Sequence, residues 1–287
     1  MDNLISFFHA LISPDFPFVR NAFVAGALSS VLFGLLGSVV TVKRIASLAG
    51  AISHAVLGGI GLALYLSATG IVPNLSPMAG AIVFALLSAL LIGTASLKSK
   101  QREDTVIQAI WAVGMSIGVL FMAKTPGYSD PSSYLFGNIL LIGTQDLWLL
   151  LILDVAVIAL IWRYYAQIEA TAFDEEFAQV RGIPTQAVFL AILAVTAIAV
   201  VLLQTFVGIV MVIAMLTLPA GTAGFGAKNL ATMMAVSTLY SFVYSTAGLA
   251  AGWALDAPVG AMVVVIAGLF YLSMLLANVL KKRRRRP

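Results

Sequence analysis

The chain has 287 residues, of which 61% are hydrophobic and 10% are charged, with a mean hydropathy of +1.04. Soluble proteins carry about 25% charged residues, so this composition excludes a soluble globular domain and indicates a polytopic membrane protein. The absence of cysteine excludes disulfides and thiolate metal sites. The net charge of +4 does not indicate nucleic acid binding, because six of the sixteen basic residues lie in the tail at 281–287, which is typical of a cytoplasmic membrane anchor.

A bilayer core about 30 Å thick needs roughly 20 apolar residues per helix. By that rule the fold class is an all-α polytopic membrane protein with about nine transmembrane helices, or eight to ten if one segment is re-entrant. The helices are placed near 18–42, 51–70, 77–97, 105–123, 144–163, 187–204, 206–223, 230–252 and 258–280. Residues 1–17 predict an interfacial segment, and the short apolar stretch 132–142 predicts a re-entrant or interfacial helix.

The positions of Lys and Arg predict that the N-terminus lies outside and the C-terminus in the cytoplasm. In this orientation only Arg20 and Lys124 lie outside. The other fourteen basic residues lie inside, namely Lys43, Arg44, Lys98, Lys100, Arg102, Arg163, Arg181, Lys228 and the six of the tail. The reverse orientation would place nearly all of them on the wrong side.

His54 is the only histidine within an apolar span. At 3.6 residues per turn, small or polar residues share one side of its helix with it, namely Ser47, Gly50, Ala51, Gly58, Gly61, Tyr65 and Ala68. Small residues allow another backbone to approach or leave open space, where an imidazole can meet a cation. The alternative is a structural histidine, hydrogen-bonded to a neighbouring helix, with glycines that serve packing.

Asp154 lies near the middle of the fifth predicted span, where an ionised carboxylate is costly and usually faces protein or water. It either lines a cation path or makes a hydrogen bond between helices. The candidate translocation path therefore comprises Ser47, Gly50, Ser53, His54, Gly58, Gly61 and Asp154, with His54 as the candidate metal ligand.

The longest inner loop, at 164–186, is polar in an otherwise apolar chain. Its acidic cluster predicts the start of a short helix that stops at Gly182 and Pro184. The spacing of Glu176, Ala178 and Gly182 is similar to the loop by which ABC importer permeases dock on their ATPase. The candidate coupling residues are Asp174, Glu175, Glu176, Ala178, Arg181 and Gly182. A solvated surface loop is the alternative.

Four motifs occur in one order along the chain: SHA at 53–55, DPSSYLFGNIL at 130–140 with Asp146 downstream, FDEEFA at 173–178 with RGI at 181–183, and VGIVMVIA at 207–214 running into LPAGTA at 218–223. Together they resemble the permease subunits of the ABC-3 family, the zinc, manganese and iron importers. The resemblance covers nearly the whole chain and identifies residues 18–280 as an ABC-3 permease domain.

This resemblance implies a bacterial inner-membrane permease that forms the translocation path for a divalent metal ion and has no permanently bound cofactor. It implies no catalysis, since ATP hydrolysis belongs to two partner ATPase subunits inside. It also implies a metal-binding protein outside and a homodimer or a pair of related permeases. Membrane lipids are the remaining partner, and nucleic acid is not one.

In this family a histidine and an aspartate one helical turn before it are pore residues near the metal path. His54 matches the histidine, but Gly50 occupies the aspartate position, so a complete metal site does not carry over. A neutral imidazole suits zinc or other borderline divalent ions and suits magnesium or calcium poorly.

Three other functions place different demands on the sequence. A permease for a metal chelate such as cobalamin or a siderophore belongs to the same class, although the surroundings of His54 favour a small cation. A secondary cation transporter needs coupling charges within the spans, where only Asp154 and His54 qualify. An intramembrane metalloprotease is excluded, because two histidines cannot form its His-Glu-x-x-His zinc site.

Overall fold

A computed structural model describes residues 2–13, 15–98, 103–127, 134–135, 137 and 142–284. Within these ranges the ordered elements are helices, and no β-strand is present. The long or functionally relevant helices are α1 (Asp2–Ile12), α2 (Pro17–Val42), α3 (Ala46–Ala68), α4 (Pro77–Lys98), α5 (Glu103–Lys124), α6 (Thr144–Phe173), α7 (Glu175–Val180), α8 (Thr185–Val207), α9 (Ile209–Ala223), α10 (Leu230–Leu255) and α11 (Val259–Arg284). The predicted all-α membrane fold is confirmed.

Seven of the described helices are long and apolar enough to cross a bilayer: α2, α3, α4, α5, α6, α8 and α11. Helix α9 has only 15 residues, about 22 Å at 1.5 Å per residue. Helix α10 is 26 residues long but carries six Ser or Thr side chains. The count of nine spans and the orientation of the termini therefore stay predictions.

Among the predicted boundaries that differ from the structure, three differences have a clear physical reason. Helix α6 continues to Phe173, ten residues past the expected end of its span, because this stretch lacks Gly and Pro and buries Ile168. Helix α3 begins at Ala46, since a turn of three residues suffices after α2. The junction expected at residues 204–205 falls at Gly208, whose φ of 83° an L side chain rarely adopts.

Two sequence predictions involve residues outside the described ranges. Most of the segment 132–142 and its flanking Asp130 lie outside them, so its re-entrant or interfacial nature stays a prediction. The described part of the basic tail, up to Arg284, continues helix α11.

The structure divides into two compact groups of helices. The first contains α1, α2, the beginning of α6, α9, α10 and α11. In it, Gly34 of α2 faces Thr238 of α10, and a methyl group at Gly37 would lie 2.6 Å from the Leu216 carbonyl oxygen of α9. Helix α1 joins this group through the indole Nε1 of Trp253, which donates a hydrogen bond of 3.2 Å to Ser6 Oγ.

The second group contains α3, α4, α5, the end of α6, α7 and most of α8. Helix α3 is central in it, because it contacts both α4 and α5 and nearly all of its residues from Leu48 to Gly61 are buried. On the α4 side, Gly59 faces the backbone of Gly80. The backbones of α3 and α4 approach each other here more closely than any residue larger than glycine would allow.

The contact between α3 and α5 is built on two glycines from each helix. Gly58 and Gly61 of α3 face the carbonyl oxygens of Gly114 and Gly118. A methyl group at Gly118 would lie 2.6 Å from the carbonyl carbon of Leu57 and 2.9 Å from the nitrogen of Gly58. Because backbone atoms oppose it, this contact fixes the depth and rotation of α3 against α5.

We expect Gly118→Ala to destabilise the protein by about 1–3 kcal/mol, since the added methyl must push the two helices apart. Gly268→Ala is the matched control, because that glycine also lies within a long helix and an added methyl meets nothing within 4 Å. Thermal denaturation in detergent, followed by loss of monodisperse protein, measures both. A Gly118→Ala protein as heat-resistant as the control would contradict this account of the contact.

The orientation is tested with single cysteines in this cysteine-free chain. Lys124 and Lys228 are both exposed. With the N-terminus outside, Lys124→Cys should react with an impermeant thiol reagent added to intact cells, whereas Lys228→Cys should react only after permeabilisation. Labelling of position 228 in intact cells would overturn the orientation.

Candidate functional site

The imidazole of His54 stacks on the indole of Trp111 in helix α5. The ring centroids are 4.5 Å apart and the planes differ by 13°. Nδ1 of His54 is buried and has no hydrogen-bond partner among the described residues. The side chain as a whole is half-buried, and its exposed atoms do not include Nδ1. The stack therefore orients the ring without occupying its buried nitrogen.

Trp111 was not among the candidates from the sequence, although two signals pointed to it. It lies about 12 Å into α5, whereas tryptophan in membrane helices is enriched at the interfaces. It also comes three residues before Gly114, the first glycine of a Gly-x-x-x-Gly pair that predicts a close helix contact. Neither signal identifies His54 as its partner.

The residues predicted to share a face with His54 have different surroundings. An added methyl at Gly50, one turn before His54, meets nothing within 4 Å. Gly58 and Gly61 contact α5, as described above. Ser47 is exposed, whereas Ser53 is buried and its Oγ donates to the Ala49 carbonyl oxygen of its own helix at 2.8 Å. Open space next to His54 is thus found at Gly50, and the role of the whole set as a path lining stays a prediction.

A shallow, open groove of about 720 Å³ runs along the exposed face of α5, and the described residues that border it belong to that helix. Its wall includes Trp111, which is 37% exposed, and the polar side chains of Gln108 and Ser116. Exposed Gln and Ser on a helix apolar enough to span a bilayer are typical of a surface that meets water or protein. Trp111 contacts both His54 and this groove.

The donor set around His54 is small. In the part of the chain that the structure describes, no three His, Cys, Asp or Glu side chains lie together in a way that could hold a metal ion. What one chain offers at this position is a single imidazole, which can serve as one ligand of a borderline divalent ion.

Asp154 is 3% exposed, and neither carboxylate oxygen has a hydrogen-bond partner among the described residues. It lies ten residues after the start of α6 and ten before Tyr164, whose non-helical φ and ψ interrupt that helix. The hydrogen bond between helices considered for it is not formed with any described group. Its role in a cation path stays a prediction.

The short helix predicted in the inner loop is present as α7, and both of its ends are capped. Oδ1 of Asp174 accepts a hydrogen bond of 2.9 Å from the Phe177 N–H at the start. At the end, Gly182 has a φ of 80°, its N–H donates to the Gln179 carbonyl, and the Ile183 N–H donates to the Ala178 carbonyl. This pair of bonds is the Schellman motif, which satisfies the last carbonyls of a helix.

Helix α7 has an exposed apolar surface. Phe177 is 51% exposed and Val180 is 89% exposed, and Phe173, just before the helix, is exposed as well. Ala178 is fully buried on the opposite side, and the Arg181 guanidinium lies 5.0 Å from the centre of the Phe177 ring. Glu175 and Glu176 are exposed in the first turn. A rigid helix with exposed apolar side chains is suited to docking on another protein.

Comparison with known proteins finds similarity along nearly the whole chain. The sequence is 35% identical over 276 residues to a probable metal transport system membrane protein of Chlamydia muridarum, covering 95% of this chain and 92% of that one. It is 30% identical over 273 residues to the manganese transport system membrane protein MntC of Halalkalibacterium halodurans, covering 94% and 90%.

Among solved structures, the fold is similar to PsaBC from Streptococcus pneumoniae in complex with Fab, with a TM-score of 0.82, 28% identity and 94% of each chain covered. The sequence also matches the ABC 3 transport family over residues 15–278. This match includes the helix that carries His54, the groove on α5 and the capped helix α7, and so the chain belongs to the ABC 3 transport family.

Proposed function

We propose that this chain is the transmembrane permease subunit of an ATP-binding-cassette importer for a divalent transition metal ion, with zinc, manganese or iron as the substrate class. The observation that carries the proposal is the match over nine-tenths of the chain to a manganese transport system membrane protein. Similarity of that extent covers the whole membrane domain, where substrate passes, and not a shared module only.

His54 is the proposed metal ligand on the path. Its stack with Trp111 holds the ring, and the open space at Gly50 leaves room beside it for an ion. Ser47, Ser53, Gly58 and Gly61, on the same helix as His54, complete the proposed lining, and Asp154 of α6 remains a separate candidate for the path. Of these, Gly58 and Gly61 also serve the α3–α5 contact, which keeps His54 at a defined depth.

The donor chemistry bears on the choice of metal. Imidazole suits zinc and iron, whereas manganese prefers carboxylate and other oxygen ligands. Gly50 supplies no carboxylate next to His54, while a relative of this chain bears the name of a manganese transporter. Uptake into proteoliposomes that contain the complete complex, with zinc, manganese and ferrous iron in competition, measures the order of preference.

We infer that the permease works as a homodimer or as a pair of related permeases. One chain contributes a single imidazole, and a second copy would bring a second His54 to a shared path. The remaining proposed partners are two ATPase subunits at the cytoplasmic face and a metal-binding protein outside. The chain itself would be non-catalytic and hold no permanent cofactor, because ATP hydrolysis would belong to the partner.

Helix α7 is the proposed contact with the ATPase. Its exposed Phe177 and Val180 provide apolar surface, and Glu175, Glu176 and Arg181 provide charges around it. The caps formed by Asp174 and Gly182, together with the buried Ala178, stabilise this helix, as transmission of a movement from a partner would require.

We expect His54→Ala and His54→Leu to lower zinc or manganese uptake at least tenfold, because the path loses its imidazole ligand, while ATP hydrolysis by the assembled complex persists. His9→Ala is the matched control, since His9 is an exposed histidine of α1 outside the spans. Metal uptake and ATP hydrolysis are measured on the same proteoliposomes. A His54→Ala protein with wild-type uptake and metal preference would make this histidine structural.

A second prediction concerns α7. Gly182→Val should disrupt the end of this helix, because a β-branched residue is strained at a φ of 80°, and Glu176→Lys should reverse a charge in its first turn. We expect the combined variant to insert into the membrane but to lose co-purification with the ATPase and metal uptake. Gly182→Asn is the control, since asparagine tolerates this conformation. Unchanged co-purification and uptake in the combined variant would exclude α7 from coupling.

A further inference from the structure

Lys43 connects two distant parts of the second group of helices. It lies in the turn between α2 and α3, and its Nζ donates a hydrogen bond of 2.9 Å to the carbonyl oxygen of Thr171, which is 128 residues away. Thr171 belongs to the last turn of α6, where helix carbonyls have no intrahelical partner. A lysine at this place satisfies such a carbonyl and complements the negative end of the helix.

The acceptor of this bond is close in sequence to α7. Three residues separate Thr171 from Glu175, the first residue of α7, and one of them is the capping Asp174. Burial lowers the pKa of Lys43, and the nearby carboxylate of Glu175 partly offsets this effect. The half-buried ammonium group is therefore bonded to the helix that leads directly into α7.

The donor of this bond is equally close to the helix that carries His54. Helix α3 begins at Ala46, three residues after Lys43, and the intervening Ile45 is buried. His54 lies eight residues further on, about 12 Å along the helix. Since backbone contacts at glycines hold α3 against α4 and α5, a displacement at its first residue would act on the three helices together.

We propose that Lys43 is a positioning residue that ties helix α7 to helix α3, so that a movement of α7 imposed by the ATPase is transmitted to the helix carrying His54. This inference rests on the proposed function, since it assigns a route to the coupling proposed there. It assigns Lys43 no contact with the metal and none with the ATPase.

The test uses the complete complex in proteoliposomes and measures metal ions transported per ATP hydrolysed. We expect Lys43→Met to assemble with the ATPase and hydrolyse ATP, but to transport at least tenfold fewer zinc or manganese ions per ATP. Lys43→Arg, which keeps a cationic donor, should stay within threefold of wild type. Arg44→Met is the matched control, because it removes the same charge from an exposed neighbour in the same turn. Equal losses in Lys43→Met and Arg44→Met, or a wild-type ratio in Lys43→Met, would overturn the proposal.

A second measurement tests the tie without transport. Spin labels at Arg44→Cys and Gln179→Cys, both exposed positions in this cysteine-free chain, report the distance between the α2–α3 turn and α7. We expect a narrow distance distribution with Lys43 and a broader one with Lys43→Met. Identical distributions would overturn the tie even if metal uptake is established. A complex that transports no divalent metal but shows the broadening would contradict the proposed function while supporting the tie.

Discussion

The close approach of helix backbones at the glycines of α3 is the constraint on which the candidate site depends. Helices in a bilayer gain little from apolar contact alone, because lipid tails are as apolar as leucine, so close packing decides which helices associate. Gly59 meets α4 at Gly80, and Gly58 and Gly61 meet α5 at Gly114 and Gly118. These contacts set the rotation of α3 and thereby bring His54 onto Trp111.

A helix held in this way can transmit force from its end. The proposed tie at Lys43 depends on the bond to the Thr171 carbonyl more than on Glu175. A hydrogen bond from a charged donor is worth about 1.5–3 kcal/mol, whereas an exposed ion pair is worth about 0–1 kcal/mol. The capped ends of α7 also favour transmission, because a helix that frays at its ends would lose hydrogen bonds instead of moving as a unit.

The surroundings of His54 are also compatible with the role proposed for it, contact with a transported ion and not with a resident one. A single imidazole binds a divalent ion weakly compared with a complete ligand shell, and transport requires a site that releases what it binds. The glycine at position 50 keeps the space next to the ring open and adds no charge there. Weak ligation and open space are thus consistent with passage through the site.

The features that could be predicted from the sequence are those that depend on neighbouring residues alone. Apolar length predicted the all-α fold and most helix boundaries, and the acidic cluster and Gly182 predicted α7, because caps act within four residues. Three contacts could be seen only in the folded chain: the stack of His54 on Trp111, the packing of Gly58 and Gly61 against α5, and the bond from Lys43 to Thr171. Helical periodicity predicts which residues share a face of a helix, but the residues that pack against that face depend on how distant helices meet.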